Sequence, residues 1–159
     1  MIYADSTFFV ALKSRRDVFH PRAGRFYEER QEEGWLWSPW HRVEVFNTLR
    51  QLLRHPDRRY RLRLPEARMA IHLLENDVRV GYFTHTEADW RDVLRTANEI
   101  SLIHGADMPC RSADLLHVAY AKELAASLFV GFDEDQINLA SAAAASSSGL
   151  SRSATAWST

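Results

Sequence analysis

The fold of this chain is decided at its start, where residues 1–13 read MIYADSTFFVALK. Residues 2–4 form an apolar run that ends abruptly at Asp5, and apolar side chains then recur from Phe8 onward at helical spacing. This pattern predicts a buried strand that runs directly into a helix. Asp5 would then stand at the carboxyl end of a strand, where open parallel sheets bind their ligands.

Three more short apolar runs follow at residues 35–37, 81–84 and 128–132, and helical patterns fill the intervals between them. The runs lie too far apart for tight hairpins, so parallel pairing through helical crossovers is expected. The alternation predicts an α/β fold, a three-layer α/β/α domain around a parallel sheet of about four or five strands.

Composition narrows the class of protein. The 159 residues carry 20 Lys and Arg against 21 Asp and Glu, a net charge of −1 that argues against a heavily basic nucleic-acid wrapper. Cys110 is the single cysteine, which excludes an internal disulfide, and no apolar run approaches the length of a membrane span. We expect one cytoplasmic domain over residues 1–140 and a disordered, Ala/Ser-rich tail over residues 141–159.

Four acidic residues are candidates for a site at one edge of the sheet. Asp5 and Asp133 end the first and last predicted strands, whereas Asp114 and Glu44 lie in the early turns of helices. Carboxylates that converge repel one another unless a cation neutralises them. A hard divalent ion such as Mg²⁺ or Mn²⁺ takes oxygen ligands and can activate a bound water, so the pattern indicates metal-dependent hydrolysis.

Each of these residues also has a purely structural interpretation. Asp5 and Asp133 have the side chain of a common helix N-cap, and Asp114 suits the first turn of a helix dipole. Glu44 falls with Thr48 on the polar face of its helix, which is typical of a solvated side chain. Only the set of four favours a functional site.

Four strings of sequence surround the four acidic residues. They are YADST at residues 3–7, EVFNTLR at 44–50, SADLLHVA at 112–119 and FVGFDEDQ at 129–136. In order and approximate spacing they resemble the acidic motifs of PIN domains, most nearly those of the VapC-type toxin ribonucleases.

The resemblance implies a site and a set of partners. It implies an endoribonuclease that uses Mg²⁺ or Mn²⁺, with Ser6 or Thr7 supplying a hydroxyl near the first aspartate. It also implies a homodimer, and a toxin whose small antitoxin covers the cleft. The implied ligands are Asp5 and Asp114 as the principal pair, completed by Glu44 and Asp133.

Two departures from the family pattern affect this interpretation. Many members have Thr or Ser where this chain has Gly131, so a supporting hydroxyl is expected to be missing, and Asp135 is a candidate substitute ligand. The alternative function is a catalytically silent PIN-like domain that binds RNA or a protein. Carboxylates gathered within reach of one ion would favour the enzyme, and a dispersed set would favour the binding domain.

Two further features have alternative interpretations. Seven arginines lie between residues 50 and 68, against Asp57 and Glu66, and with Tyr60 they suit either an RNA strand or a solvated loop that pairs with a protein. His117 lies one helical turn after Asp114, which suits a metal or proton-transfer role. A buried histidine that bonds a backbone carbonyl is the more ordinary interpretation.

Overall fold

The computed structural model describes residues 1–146, which contain one sheet of four parallel strands flanked by helices. The sheet order is β3-β2-β1-β4, so the first strand lies in the interior of the sheet. This arrangement confirms the predicted three-layer α/β/α fold. The strands are β1 (Ile2–Ala4), β2 (Trp35–Trp37), β3 (Phe83–His85) and β4 (Leu128–Val130).

Seven α-helices connect and cover the strands in the described part of the chain. They are α1 (Ser6–Lys13), α2 (His20–Arg30), α3 (Pro39–Gln51), α4 (Leu64–Arg79), α5 (Trp90–His104), α6 (Ser112–Glu123) and α7 (Glu134–Ala145). Helix α7 begins before the predicted tail of residues 141–159 and extends into it. Residues 147–159 of that predicted tail lie outside the described residues.

The two faces of the sheet support separate apolar clusters, because successive side chains of a strand point to opposite faces. Ile2 and Ala4 belong to the cluster that helices α1 to α4 cover. Tyr3 and Phe129 belong to the opposite cluster, which packs against α5, α6 and α7. Strands β1, β2 and β4 are therefore buried on both faces, as expected for a parallel sheet with helices on both sides, whereas Thr84 and His85 of the edge strand β3 are exposed.

The pairing of β1 with β4 positions the candidate site. Tyr3 pairs with Phe129, and the backbone N–H of Asp5 donates to the carbonyl of Val130 at 2.8 Å. Because the two strands are parallel neighbours, Asp5 and the segment that leads to Asp133 lie at the same edge of the sheet. The predicted placement of these two aspartates on one edge is confirmed.

Asp89 caps helix α5, because its side chain accepts a 2.8 Å hydrogen bond from the N–H of Arg91. Among residues 1–146, no helix combines the length and the apolar character needed to cross a membrane.

Candidate functional site

Asp5 is the most deeply buried of the four predicted carboxylates. It is 1% exposed and caps α1, with Oδ1 accepting the N–H of Phe8 at 2.8 Å. The Thr7 hydroxyl lies 2.8 Å from both carboxylate oxygens. Burial raises the pKa of Asp5 from 3.8 to about 6, against the opposing effects of His117 and of these hydrogen bonds. The N-cap interpretation of Asp5 is therefore confirmed, and its burial and raised pKa go beyond what a cap requires.

Glu44 lies beside Asp5 and is bonded across the molecule. Its Oε2 accepts a 2.5 Å hydrogen bond from the Ser6 hydroxyl and a second hydrogen bond from Nε2 of His117. Burial alone would raise the pKa of Glu44, but the bonds from His117 and Ser6 outweigh it and lower the pKa below its ordinary value. The expectation of a solvated side chain is wrong, since Glu44 is half-buried and turned toward its partners.

The His117 ring is fixed from both sides. Its Nε2 donates to Glu44 and lies 3.0 Å from the Ser6 hydroxyl oxygen, while its Nδ1 lies 3.0 Å from the Tyr3 hydroxyl. Burial raises the pKa of Tyr3 well above 10, so this hydroxyl keeps its proton. His117 is 2% exposed. The prediction that His117 bonds a backbone carbonyl is wrong, because its partners are the side chains of Glu44, Ser6 and Tyr3.

His41 is the histidine that bonds the backbone. Its Nε2 donates to the carbonyl of Ala4 at 2.7 Å, and its Nδ1 accepts the N–H of Ser38 at 2.9 Å. Burial, with a smaller effect from His117, lowers the pKa of His41 well below 6.5, so the ring is neutral. His41 thus supports the residue that precedes Asp5. This role of His41 was not predicted from the sequence, although the position of His41 three residues after a Ser-Pro helix start is a usable signal.

Asp114 and Asp133 are bonded locally. Oδ2 of Asp114 accepts the N–H of Arg111 at 2.7 Å, which closes the first turn of α6. Oδ1 of Asp133 caps α7 by accepting the N–H groups of Asp135 at 3.0 Å and Gln136 at 3.3 Å. Both carboxylates are half-buried, and Asp135 is exposed. The N-cap interpretation of Asp133 is confirmed, and Asp114 lies in the first turn of α6, as its structural interpretation predicts.

Two of the four carboxylates, Asp5 and Glu44, act on one another electrostatically, whereas Asp114 and Asp133 bond their own helix starts. Glu44 bonds Ser6 and His117, and Asp5 bonds Thr7 while the charges of His117 and Glu44 act on its pKa. Within residues 1–146, no group of three or more His, Cys, Asp or Glu side chains is arranged to hold a metal ion.

Gly131 is explained by its contact with Asp5. A Cβ atom at residue 131 would lie 2.7 Å from Oδ2 and 2.8 Å from Cγ of Asp5, closer than side-chain atoms normally pack. A Ser or Thr there would displace the carboxylate, whereas Thr7 already donates a hydroxyl to it. The missing hydroxyl at residue 131 is thus compensated from the other side of Asp5.

A groove of about 570 Å³ opens beside this edge of the sheet. Thr7 and Asp133 line it near the acidic cluster, and Tyr60 lines it near the arginine-rich segment. The rings of Phe19 and Phe132 stack 4.4 Å apart on its wall. The groove therefore connects the two regions that the sequence singled out.

Some of the seven arginines are committed to internal bonds. Arg59 pairs with Asp57 at 2.6 Å, Arg63 pairs with Glu66 at 2.8 Å, and Arg61 donates to two backbone carbonyls. Arg54 and Arg58 are exposed on the segment between α3 and α4. They remain available to a polyanion or to an acidic protein surface.

The fold and the site together define an α/β/α domain with an acidic centre at the carboxyl edge of a parallel sheet. The sequence matches the family model of the PIN domain over residues 2–142, nearly the whole described chain. The chain belongs to the PIN domain family, whose members are generally nucleases. No curated protein matches the sequence.

Proposed function

We propose that this chain is a Mg²⁺- or Mn²⁺-dependent endoribonuclease that hydrolyses RNA phosphodiester bonds. The observation that carries the proposal is the Asp5 carboxylate, which is buried beside a second carboxylate, Glu44, at the ligand-binding edge of the sheet. A buried anion is costly unless a cation pairs with it. Carboxylate oxygens are the donors that Mg²⁺ and Mn²⁺ prefer, so the donor set fits such an ion.

Asp5 and Asp114 would be the principal ligands, with Glu44 and Asp133 completing the set. Asp114 and Asp133 each use one carboxylate oxygen for a helix start, and the other oxygen is available after a side-chain rotation. Thr7 orients the carboxylate of Asp5, and the lowered pKa of Glu44 keeps it ionised. A bound Mg²⁺ or Mn²⁺ would supply the Lewis acid that lowers the pKa of a water and offsets charge on the phosphate.

The groove and the exposed arginines support RNA as the substrate. Phosphates attract Arg54 and Arg58 with a salt-dependent affinity, and an unpaired base can stack on an aromatic ring such as Tyr60. Tyr60 lines the groove that reaches Thr7 and Asp133. A single strand that crosses the groove would pass from the basic segment to the carboxylates.

The resemblance to VapC-type proteins extends the proposal to a biological role. The chain would be the toxin of a toxin-antitoxin pair in the cytoplasm, and a small antitoxin would cover the acidic cleft. It would also form a homodimer. Exposed apolar side chains on α5 support a protein contact on that helix, with Leu94 at 55%, Leu102 at 83% and Ile103 at 59% exposure.

Cleavage of an RNA pool with structured and single-stranded regions tests the proposed activity. We expect purified protein to cut the pool with Mn²⁺ or Mg²⁺ and to lose this activity in EDTA and in the Asp114→Asn variant. Asp107→Asn is the matched control, because Asp107 is exposed and lies outside the four acidic motifs. Cleavage that persists in EDTA or in Asp114→Asn would refute the site assignment.

A second candidate function is a catalytically silent PIN-like domain that binds RNA or a protein. The dispersed positions of Asp114 and Asp133 favour it, because residues 1–146 present no ready group of three metal-binding side chains. Titration with Mn²⁺ and with uncleavable RNA separates the two candidates. Binding of RNA without binding of Mn²⁺ would support the silent domain and contradict the nuclease.

A further inference from the structure

The buried ring of His117 is bonded on two sides. It bonds a predicted ligand, Glu44, on one side and a core tyrosine, Tyr3, on the other. We propose that His117 is a positioning residue that holds Glu44 by Oε2, so that Glu44 presents Oε1 to the metal ion. This inference rests on the proposed metal-dependent function and adds a residue outside the four predicted ligands.

Both ring nitrogens of His117 have partners within the protein. A carboxylate oxygen accepts hydrogen bonds, so Nε2 of His117 is the donor toward Oε2 of Glu44. Nδ1 lies 3.0 Å from the Tyr3 hydroxyl oxygen. His117 therefore acts on the ion only through Glu44.

The anchor of this chain of bonds is rigid. Tyr3 is 0% exposed in β1, and its ring stacks on Phe129 of β4 with centroids 5.8 Å apart. The His117 ring also packs against His41, with centroids 5.3 Å apart. These contacts fix the position of Nε2, and hence the position of the Glu44 oxygen that it bonds.

The two carboxylate oxygens of Glu44 therefore have different roles. Oε2 accepts both the Ser6 hydroxyl and the His117 N–H, whereas Oε1 accepts no hydrogen bond from the described residues. A carboxylate fixed in this way can bind an ion through one oxygen without first losing rotational freedom. Loss of such supporting bonds typically costs about 10- to 100-fold in metal affinity.

Two substitutions of His117 separate this role from a purely structural one. The amide of Gln reaches the position of Nε2 and can donate to Glu44, whereas the amide of Asn reaches only the position of Nδ1. We expect His117→Asn to raise the Kd for Mn²⁺ about 10- to 100-fold, measured by calorimetry or by the EPR signal of free Mn²⁺. We expect His117→Gln to bind close to wild type.

His20→Asn is the matched control, because His20 is a partly buried histidine whose Nδ1 lies 2.8 Å from the carbonyl of Ala11, away from Glu44. Because the amide of Asn reaches the position of Nδ1, His20→Asn can keep the bond to Ala11, and it should bind Mn²⁺ like wild type. If wild type binds Mn²⁺ and His117→Asn binds it equally well, the positioning role is refuted and the nuclease proposal stands. Equal losses in the Gln and Asn variants would also refute it.

A metal-free measurement tests the bond itself and does not depend on the nuclease proposal. In the NMR spectrum of wild-type protein, the Nε2–H proton of His117 should resonate far downfield, as a proton donated to a carboxylate does. Glu44→Gln should move that resonance strongly upfield, because an amide is a weaker acceptor. A resonance that Glu44→Gln leaves in place would overturn the inference. If wild type fails to bind Mn²⁺ while this signature is present, the bond from His117 to Glu44 stands, and both the metal proposal and the presentation of Oε1 to an ion are refuted.

Discussion

The two halves of the acidic edge are built differently. Glu44 is bonded to side chains that are distant in sequence, Ser6 at 38 residues and His117 at 73 residues. Asp5 caps its own helix through Thr7 and Phe8, but the chain at Gly131 also closes against its carboxylate. Asp114 and Asp133 bond backbone N–H groups two or three residues away at their own helix starts. Tertiary contacts therefore hold the first half in addition to the cap at Asp5, whereas the bonds of the second half are local helix caps.

This difference determines which side chains can move. Rotating Glu44 would break bonds to two elements and leave buried polar groups unsatisfied, which is costly. Rotating Asp114 or Asp133 exchanges a cap on a half-exposed helix start for other partners, at a cost of about 1 kcal/mol. If an ion binds here, Asp5 and Glu44 would keep their positions, and Asp114 and Asp133 would rotate toward it.

The largest expected effect is on RNA cleavage, and it distinguishes Asp5 from Asp133. Asp5→Asn keeps the N-cap, because Asn caps as well as Asp, but it removes the buried charge. We expect metal-dependent RNA cleavage to fall by about 1000-fold, the equivalent of several kcal/mol of electrostatic stabilisation. Asp133→Asn should lose less. Cleavage assays that rank the two variants in the reverse order would contradict the proposed division.

The pH dependence of stability tests the burial of Asp5. Its pKa in the folded chain is about 6, above the ordinary 3.8, so its contribution to stability is fully present below pH 3.8 and is lost as the pH rises through 6. In metal-free urea unfolding, wild type should lose up to about 3 kcal/mol relative to Asp5→Asn between pH 4 and pH 7. Mn²⁺ at neutral pH should restore this stability. Parallel curves for the two proteins would show that Asp5 is solvated.

The contact between Gly131 and Asp5 predicts a stability effect of intermediate size. Gly131→Ala places a Cβ atom 2.7 Å from Oδ2 of Asp5, and we expect a loss of about 1–3 kcal/mol in urea unfolding together with weaker Mn²⁺ binding. Gly24→Ala is the control, because nothing lies within 4 Å of its Cβ position. That substitution lies in helix α2 and should stabilise the protein by about 0.5–1 kcal/mol. A neutral Gly131→Ala would mean that Asp5 has room to shift.

The smallest expected effect concerns Asp133, whose hydrogen bonds are local. Asp133→Ala removes the acceptor for two N–H groups of α7 and should cost about 1 kcal/mol in urea unfolding, whereas Asp133→Asn should cost little. If the Asn variant also keeps its Mn²⁺ affinity, Asp133 is a cap and not a ligand. Loss of affinity in both variants would assign it to the metal site.

The sequence was sufficient to predict the sheet and the edge where the site lies. The apolar runs that precede Asp5 and Asp133 are local signals, and both residues lie at the ends of the neighbouring strands β1 and β4. Helical spacing predicted α3 correctly but failed for Glu44, which periodicity placed on the solvated face. Local pattern therefore located the edge but not the orientation of every side chain on it.

The histidines explain why the rest of the site was not predictable. His117 meets Ser6 across 111 residues and Tyr3 across 114, and no local pattern encodes contacts of that separation. The partner of His41 is likewise a backbone carbonyl of the first strand, 37 residues away. These bonds exist only because the sheet order brings β1 between β2 and β4.

That sheet order has a consequence for the synthesis of the chain on the ribosome. The last strand pairs with the first, and the segment from Leu128 to Gly131 closes over Asp5. Until those residues leave the ribosome exit tunnel, β1 has an unpaired edge and Asp5 lacks the wall that buries it. A nascent or truncated chain that ends before β4 therefore carries Asp5, Glu44 and His117 but leaves Asp5 open on the side that Gly131 covers. The burial of Asp5 is complete only after residues 128–131 have left the tunnel.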